Sequence, residues 1–251
     1  LAYNRVLLSG VVAGSMKPEH VTLHGDEWQS RVRLGVSVAS IDRATRKVVL
    51  SDGEAISYDA LVLATGSRAW LPPVEGLSPD ASGVYTFRTL DDCAEILAAA
   101  RPGAPVAVLG GGLLGIEAAR GLVGRGCQVT VVHPVGHLME RQLDSGAGAV
   151  LARKLSTLGV EVKLNARVNA YVPGDGLKLA DGMVPADIVV VAAGVTPETS
   201  VATAAGIAVD RGVLIDDCLR TNDPRVYAIG DCAQHQGAAA GLVQSAWEQA
   251  E

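Results

Sequence analysis

The chain has 251 residues, a formal net charge of -6, 49% hydrophobic residues, and one Phe beside 29 Gly. This length provides apolar material for one large or two modest buried cores, and the wealth of small residues favours an α/β protein. No long run of Lys or Arg offers an electrostatic footprint for nucleic acid. The apolar run DIVVVAAGV is far shorter than the roughly 20 residues of a membrane span. We therefore expect a soluble protein with no nucleic-acid partner and no membrane partner.

The cysteines are scattered along the chain, at Cys93, Cys127, Cys218 and Cys232. No two of them form a CxxC pair of the kind that carries out redox chemistry or binds zinc. The simplest interpretation is a set of small buried apolar side chains in a reducing, cytoplasmic setting. Cys232 alone stands beside a motif that could bring it near a cofactor.

In chain order, the first recognisable plan covers residues 35–66. Alternating segments are separated there by Asp-Gly and charged turns, and they end in an apolar strand and a glycine. Residues 159–194 repeat this plan, and both copies contain an Asp-Gly turn and a terminal glycine. Internal duplication therefore predicts the same succession of short strands in both copies.

The duplication also predicts a feature before the first copy. In the second copy, a glycine fingerprint begins at Gly110 and the copy ends at Gly194. The same number of residues, counted back from Gly66 at the end of the first copy, reaches beyond residue 1. We therefore expect a first nucleotide fingerprint upstream and an N-terminally truncated chain. The last segment, GLVQSAWEQAE, has helical spacing without a stop signal, so the final helix is also expected to continue.

The most specific motif is PVAVLGGGLLGIEAARGLVGRGCQVTVVH at residues 105–133, which predicts a strand, a glycine turn, a helix and a second strand. Gly110 permits the tight turn, Gly112 lets a pyrophosphate approach the backbone, and Gly115 allows close packing of the helix. Leu113 and Leu114 open the helix, whose unpaired amides and positive dipole end favour phosphate. The pattern predicts a dinucleotide site, and a glycine-rich turn without a ligand is the alternative.

Charged residues near this turn leave their roles open. Glu117 could complement the helix dipole or contact a nicotinamide amide. His133 stands where an NAD site usually carries Asp or Glu, and together with His137 and Arg141 it could accept a 2′-phosphate. An ordinary polar loop is the alternative, and a metal site at the two histidines would lack a third nearby ligand. NAD and NADP therefore stand as equal alternatives, and no metal site is predicted.

Residues 221–233, TNDPRVYAIGDCA, predict a short apolar strand that ends at Gly230 and Asp231. The simpler interpretation is a strand followed by a turn. The more specific one is that Asp231 hydrogen-bonds a ribityl hydroxyl while the following backbone lies close to a flavin pyrophosphate.

Taken together, these motifs resemble the FAD-dependent pyridine nucleotide oxidoreductases with two dinucleotide-binding domains. The resemblance rests on ATGS at 64–67, GGGLLGIE at 110–117, AAGVTP at 192–197 and TNDPRVYAIGDCA at 221–233. AYNRVLLS at 2–9 and LMERQLD at 138–144 are similar to the flavoprotein module of the NAD(P)H nitrite reductase large subunit and of assimilatory nitrate reductase electron-transfer subunits. The resemblance covers essentially the whole chain.

The resemblance implies an α/β fold with two Rossmann-like FAD- and NAD(P)-binding domains in three ββα layers. The NAD(P)-binding domain, residues 89–197, would be inserted in an N-terminally truncated FAD-binding domain made of residues 1–88 and 198–251. The family's flavin-site positions correspond here to Arg5, Thr65, Gly66, Gly230, Asp231 and Trp247. Trp247 would lie near the isoalloxazine, with a place in the core as the alternative. The candidates on the nicotinamide side are Gly110, Gly112, Leu113, Leu114, Gly115, Glu117, His133, Arg141 and Gly194, and no catalytic side chain is implied.

The implied reaction is hydride transfer from NAD(P)H to FAD, followed by passage of electrons to another centre in nitrite or nitrate assimilation. Iron-sulfur and sirohaem centres would belong to downstream domains or a partner subunit. The alternatives are an NAD(P)H-dependent rubredoxin or ferredoxin reductase and a non-catalytic NAD(P)-binding protein. Gly10 stands where such reductases often have Lys, which argues against that branch. Without the first fingerprint, we expect this chain to bind FAD weakly or not at all.

Overall fold

The computed structural model describes residues 2–23, 31–239, 241 and 243–251. The chain divides into two compact units and passes between them more than once. The first unit is Leu1–Leu23 with Ala69–Gly194, and the second is His24–Arg68 with Val195–Glu251. Within the described residues, no helix is long and apolar enough to cross a bilayer.

The first unit is built on a five-stranded parallel sheet in the order β6-β13-β7-β8-β9. Numbered along the whole chain, its strands are β6 (Val84–Thr86), β7 (Pro105–Leu109), β8 (Gln128–Val132), β9 (Val160–Lys163) and β13 (Ile188–Val191). The strand order runs outward from β7 to β9 on one side and to β13 on the other. The carboxyl ends of β7 and β13 therefore meet at a topological switch point, where sheets of this type bind ligands.

This sheet is the middle of three layers. Alternate side chains of β7 point to opposite faces, so that Val106 and Val108 pack with helices while Ala107 and Leu109 pack with an antiparallel sheet. The antiparallel strands are β10 (Val168–Val172), β11 (Gly176–Leu179) and β12 (Gly182–Pro185). Burial on both faces explains why β7 and β13 read as continuous apolar runs. The layers confirm the predicted ββα arrangement for this unit.

Helices cover the other face of the parallel sheet and contribute to one core. They are α1 (Leu8–Ala13), α2 (Leu90–Ala99), α3 (Leu113–Gly124) and α4 (Ser145–Thr157), with 3-10 turns at Arg5–Leu7 and Pro18–Val21 on either side of α1. Arg125, just after α3, donates hydrogen bonds to the carbonyls of Val11 and Val12. These bonds satisfy carbonyls at the carboxyl end of α1 and fix this helix against α3.

The second unit contains the first copy of the repeat. Its antiparallel strands are β1 (Val38–Asp42), β2 (Lys47–Leu50) and β3 (Ala55–Ser57). Two parallel pairs follow, β4 (Leu61–Leu63) with β16 (Val226–Ala228) and β15 (Val213–Ile215) with β17 (Ala233–His235). The remaining elements are α5 (Ser200–Ala204), a 3-10 turn at Gly230–Cys232 and α6 (Val243–Ala250), while β5 (Ser67–Ala69) and β14 (Val195–Pro197) lie where the chain passes between units.

Both copies of the predicted repeat have the same secondary structure. β1–β3 and β10–β12 are antiparallel sheets, each followed by a strand in parallel pairing, β4 or β13. A glycine with positive φ ends each copy, Gly66 at 69° and Gly194 at 128°. The structure thus confirms the α/β class and the repeated succession of strands that the duplication predicted.

Three cysteines are buried as predicted, namely Cys93, Cys127 and Cys232, but Cys218 is exposed and its prediction is wrong. Cys218 lies in a surface turn in which the carboxylate of Asp216 accepts a hydrogen bond from its amide. Its position is therefore set by turn geometry and not by apolar packing. Burial in an apolar environment raises the pKa of the Cys93 thiol to about 12.

Candidate functional site

The glycine turn after β7 is shaped by backbone contacts that leave no room for side chains at two positions. A Cβ added at Gly110, whose φ is 125°, would lie 2.3 Å from the carbonyl oxygen of Ala192. A Cβ added at Gly115 would lie 2.1 Å from the carbonyl oxygen of Gly110. At Gly112, by contrast, an added Cβ would meet nothing within 4 Å. Gly110 and Gly115 are therefore required by the fold, whereas Gly112 faces open space.

The amino end of α3 differs from those of its neighbours. Thr89 caps α2 through its side chain and Asp144 caps α4, so both helices have first-turn amides that are already satisfied. Gly112 is the N-cap of α3 and supplies no side-chain hydrogen bond. The first helical residues, Leu113 and Leu114, are exposed and half-buried respectively. Their end of α3 can thus offer amides and a positive dipole end to an anion.

Two further candidates lie beside this turn. Ala192, directly after β13, donates its amide to the carbonyl of Leu109, which brings the segment leading to Gly194 alongside β7. A Cβ added at Gly194 would meet nothing within 4 Å. Glu117 is half-buried on α3, and within the described part of the chain its carboxylate has no hydrogen bond or ion pair. The open backbone at Gly194 and the carboxylate of Glu117 therefore accompany the exposed amides at the start of α3.

His133 is buried beneath the glycine turn, directly after β8. Its Nδ1 accepts a hydrogen bond from the Gly111 amide at 3.0 Å, and its Nε2 lies 3.1 Å from a carboxylate oxygen of Glu140. Because Nδ1 accepts, the proton is assigned to Nε2, which donates to Glu140. His137 Nε2 lies 3.2 Å from the carbonyl of Leu143, whereas Arg141 is exposed.

In the second unit, two motifs far apart in sequence meet at the carboxyl ends of β4 and β16. These strands pair in register, with Leu61 opposite Val226 and Leu63 opposite Ala228. The amide of Ile229 then donates to the carbonyl of Leu63 at 2.9 Å. The ATGS and GDC segments therefore begin side by side, as carboxyl ends of neighbouring parallel strands must.

Hydrogen bonds join these two segments. The hydroxyl of Ser67 donates to a carboxylate oxygen of Asp231 at 2.8 Å. Gly66 and Gly230 have positive φ values of 69° and 70°, which turn the backbone sharply after each strand. The Gly230 amide donates to the side-chain carbonyl of Gln249 at 2.7 Å. Asp231 is thus held in a fixed orientation at the edge of the strand pair.

The other flavin-site candidates lie in different surroundings. Thr65 donates its hydroxyl to the carbonyl of Glu198, and hydrogen bonds from Ser200 lower the pKa of the Glu198 carboxyl below its usual value. Trp247 is 69% exposed on α6, so its ring lies outside the core of the second unit. Arg5 is exposed in a 3-10 turn of the first unit.

Sequence reasoning did not single out Ser67, Gln249 or Glu140. Ser67 and Glu140 stood inside quoted motifs, but their contacts join residues from different strands and loops. Gln249 gave no local signal, because it lies within an ordinary polar helix pattern.

Comparison of the sequence with known protein families identifies the family of this chain. The model for pyridine nucleotide-disulphide oxidoreductases matches residues 1–250. The chain belongs to this family. It is 40% identical over 99% of its length to nitrite reductase [NAD(P)H] of Bacillus subtilis, covering 32% of that protein. It is 37% identical over 98% of its length to the assimilatory nitrate reductase electron transfer subunit of the same organism, covering 33% of it.

A solved structure supports the family assignment. The ferredoxin reductase from Rhodopseudomonas palustris superposes with a TM-score of 0.89 at 31% identity, over 100% of this chain and 65% of that one. This similarity confirms the Rossmann-like α/β fold class. The chain spans about a third of the length of the two Bacillus relatives that it matches.

Proposed function

We propose that this chain is part of the flavin- and nicotinamide-binding module of an NAD(P)H oxidoreductase in nitrite or nitrate assimilation. In this module, electrons pass from NAD(P)H through FAD to a redox centre in a downstream domain or partner subunit. Iron-sulfur and sirohaem groups would be held there. The relatives named nitrite reductase and nitrate reductase electron transfer subunit support this choice, because the similarity covers almost all of this chain.

The observation that carries the proposal is the contrast among the glycines of the turn after β7. Gly110 and Gly115 are enforced by backbone contact, but Gly112 is open on its Cβ side at an uncapped helix terminus. An open glycine at such a terminus fits the approach of a pyrophosphate. In this role the backbone amides of Leu113 and Leu114 bind phosphate oxygens, and the Glu117 carboxylate accepts a hydrogen bond from the nicotinamide amide. Gly194 leaves space for the same ligand.

For FAD, the residues of the second unit fit the flavin's polyol. The Asp231 carboxylate is half-buried and oriented by Ser67, and a carboxylate is the acceptor that suits a ribityl hydroxyl. The proposed boundaries are a flavin domain of residues 1–88 and 198–251 and an inserted nicotinamide domain of 89–197, which differ from the compact units in that residues 1–23 and 69–88 pack in the first unit. Arg5, Thr65, Gly66, Gly230 and Trp247 are the remaining flavin contacts in this assignment.

The chain contributes orientation and binding to the reaction rather than acid-base chemistry. FAD, when bound, supplies the capacity to accept a hydride and to release electrons singly. Glu117 fixes the amide of the hydride donor, and the amides of α3 neutralise its phosphates. Asp231 holds the polyol. No protein side chain needs to gain or lose a proton in this scheme.

The test is made with the whole protein that contains this chain. We expect the purified protein to show a flavin absorbance spectrum and to reduce an artificial electron acceptor when NADH or NADPH is supplied. A protein that folds but shows neither would contradict the proposal. Binding of nicotinamide nucleotide without any flavin would favour the non-catalytic NAD(P)-binding alternative.

A reductase of a small redox protein is the second candidate, because the chain is similar over its whole length to a ferredoxin reductase. Acceptors distinguish the two. If the whole protein reduces ferredoxin or rubredoxin but not nitrite, the second candidate is correct.

A further inference from the structure

The acidic residue that normally distinguishes NAD from NADP is absent from its usual place. In dinucleotide-binding folds, Asp or Glu at the end of the second strand accepts a hydrogen bond from the ribose 2′-hydroxyl. In this chain the second strand, β8, is followed by His133, which is 5% exposed and lies under the glycine turn. Both of its nitrogens contact protein groups. His133 therefore has no nitrogen left for a ribose.

The loop after His133 returns to the same turn. The amide of Met139 donates to the carbonyl of Gly111 at 2.9 Å, and Met139 adopts a φ of 53°. Leu138 is fully buried, and a Cβ at Gly111 would lie 2.7 Å from its side chain. The next residue, Glu140, is thus anchored to the glycine turn by the residues before it.

The carboxylate of Glu140 is oriented and accessible. His133 Nε2 donates to one oxygen at 3.1 Å, while 32% of the Glu140 side-chain surface remains exposed. The tautomer of His133 that accepts from Gly111 carries no formal charge, so it directs the carboxylate without neutralising it. An anion with free acceptor capacity stands beside the phosphate-binding turn.

From this geometry we infer that Glu140, in place of an acidic residue at the end of β8, recognises the ribose hydroxyls and makes the site prefer NADH to NADPH. The inference rests on the proposed function, since it assumes that the turn binds a dinucleotide. Glu140 accepts from the ribose hydroxyls, and its charge repels a 2′-phosphate. His133 acts as a positioning residue for this carboxylate.

The basic residues near this loop do not oppose the assignment. His137 contacts the carbonyl of Leu143, and His133 is buried. Arg141 is exposed, and within the described residues no contact fixes its side chain. An anchored carboxylate loses less conformational entropy on contact with ribose than a long unanchored cation loses on contact with phosphate.

The experiment compares two probes that lack the nicotinamide, ADP-ribose and 2′-phospho-ADP-ribose, by calorimetric titration of the whole protein. We expect ADP-ribose to bind at least about tenfold more tightly, the value of one hydrogen bond to a charged group. Glu140→Gln should reduce this affinity ratio severalfold toward one. His133→Asn should also reduce the ratio, because the Glu140 carboxylate loses the hydrogen bond that orients it. Glu95→Gln, which removes an exposed carboxylate from α2 in the same unit, should leave it unchanged.

The outcomes separate the inference from the proposed function. If both probes bind and Glu140→Gln leaves their ratio unchanged, or if the wild type prefers the phosphorylated probe, the inference is wrong and the dinucleotide site stands. If neither probe binds to the folded protein, the proposed function fails and the inference fails with it.

Discussion

Alanine substitutions at Gly112 and Gly115 should separate the effect of an added methyl group on ligand binding from its effect on folding. At Gly112 the φ of -78° is open to any residue, and an added Cβ would meet no protein atom within 4 Å. At Gly115 an added Cβ would lie 2.1 Å from the backbone oxygen of Gly110. We therefore expect Gly112→Ala to obstruct the phosphate and spare the fold, and Gly115→Ala to disturb the turn itself.

The magnitudes follow from these contacts. Restoring an ordinary contact of about 3.5 Å at Gly115 requires a displacement of more than about 1 Å between α3 and the turn. Overpacking of this kind costs roughly 1–3 kcal/mol, and a backbone obstacle places the cost near the upper value. At about 2–4 °C per kcal/mol for a chain of this size, Gly115→Ala should lower Tm by roughly 6–12 °C. Gly112→Ala changes only the N-cap residue and should cost about 1 kcal/mol or less.

The assay combines thermal unfolding with calorimetric titration by ADP-ribose. Gly112→Ala should weaken ADP-ribose at least about tenfold, or about 1.4 kcal/mol, with Tm within about 4 °C of the wild type. Gly124→Ala is the matched control, because this glycine is also open within 4 Å but lies at the other end of α3. Wild-type affinity in Gly112→Ala, or a loss of stability equal to that of Gly115→Ala, would contradict the placement of a phosphate at Gly112.

Other predictions address the second unit and the thiols. Asp231→Asn should retain the fold but lower the flavin content of the purified protein, measured as flavin absorbance per protein, and unchanged content would contradict the assigned contact. A thiol reagent at mildly alkaline pH should modify Cys218 rapidly and Cys93 only after unfolding, because burial raises the pKa of Cys93 to about 12. A hydrogen bond from the Arg43 guanidinium lowers the pKa of the Asp223 carboxyl. This pair therefore stabilises the protein fully at pH values above the ordinary carboxyl pKa of about 4. The contribution is lost as the pH falls through the lowered pKa. Wild-type stability should therefore fall more steeply with acidification below about pH 4 than that of Asp223→Asn, as followed by urea unfolding at several pH values.

Sequence reasoning was most successful where the signal is local. The β7-turn-α3-β8 succession was predicted because apolar strands buried on both faces and glycines at fixed spacing follow directly from the sequence. The duplication was predicted for the same reason, since each copy is a continuous segment. The short strand of residues 226–228 before Gly230 and the helical character of the final segment were also predicted correctly.

The parts that escaped prediction depend on long-range contacts. His133 was considered as a ligand for a 2′-phosphate, but it is buried under the preceding turn, where its Nδ1 accepts a hydrogen bond from the Gly111 amide. Glu140 gained its position from a loop that folds back on that turn, which no periodicity reveals. The hydrogen bond between Ser67 and Asp231 required the parallel pairing of β4 and β16.

The most direct test of the proposed function is an anaerobic titration of the whole protein with NADH, followed by the visible absorbance of its flavin. We expect NADH to bleach this absorbance in the wild type, with about one NADH for each flavin and further equivalents for the downstream centres that the flavin supplies with electrons. At the same NADH concentration, the flavin of Gly112→Ala should bleach far more slowly, because the added methyl group obstructs the turn that binds the donor. A flavin that stays oxidised with both NADH and NADPH, in a protein that binds ADP-ribose, would contradict the account.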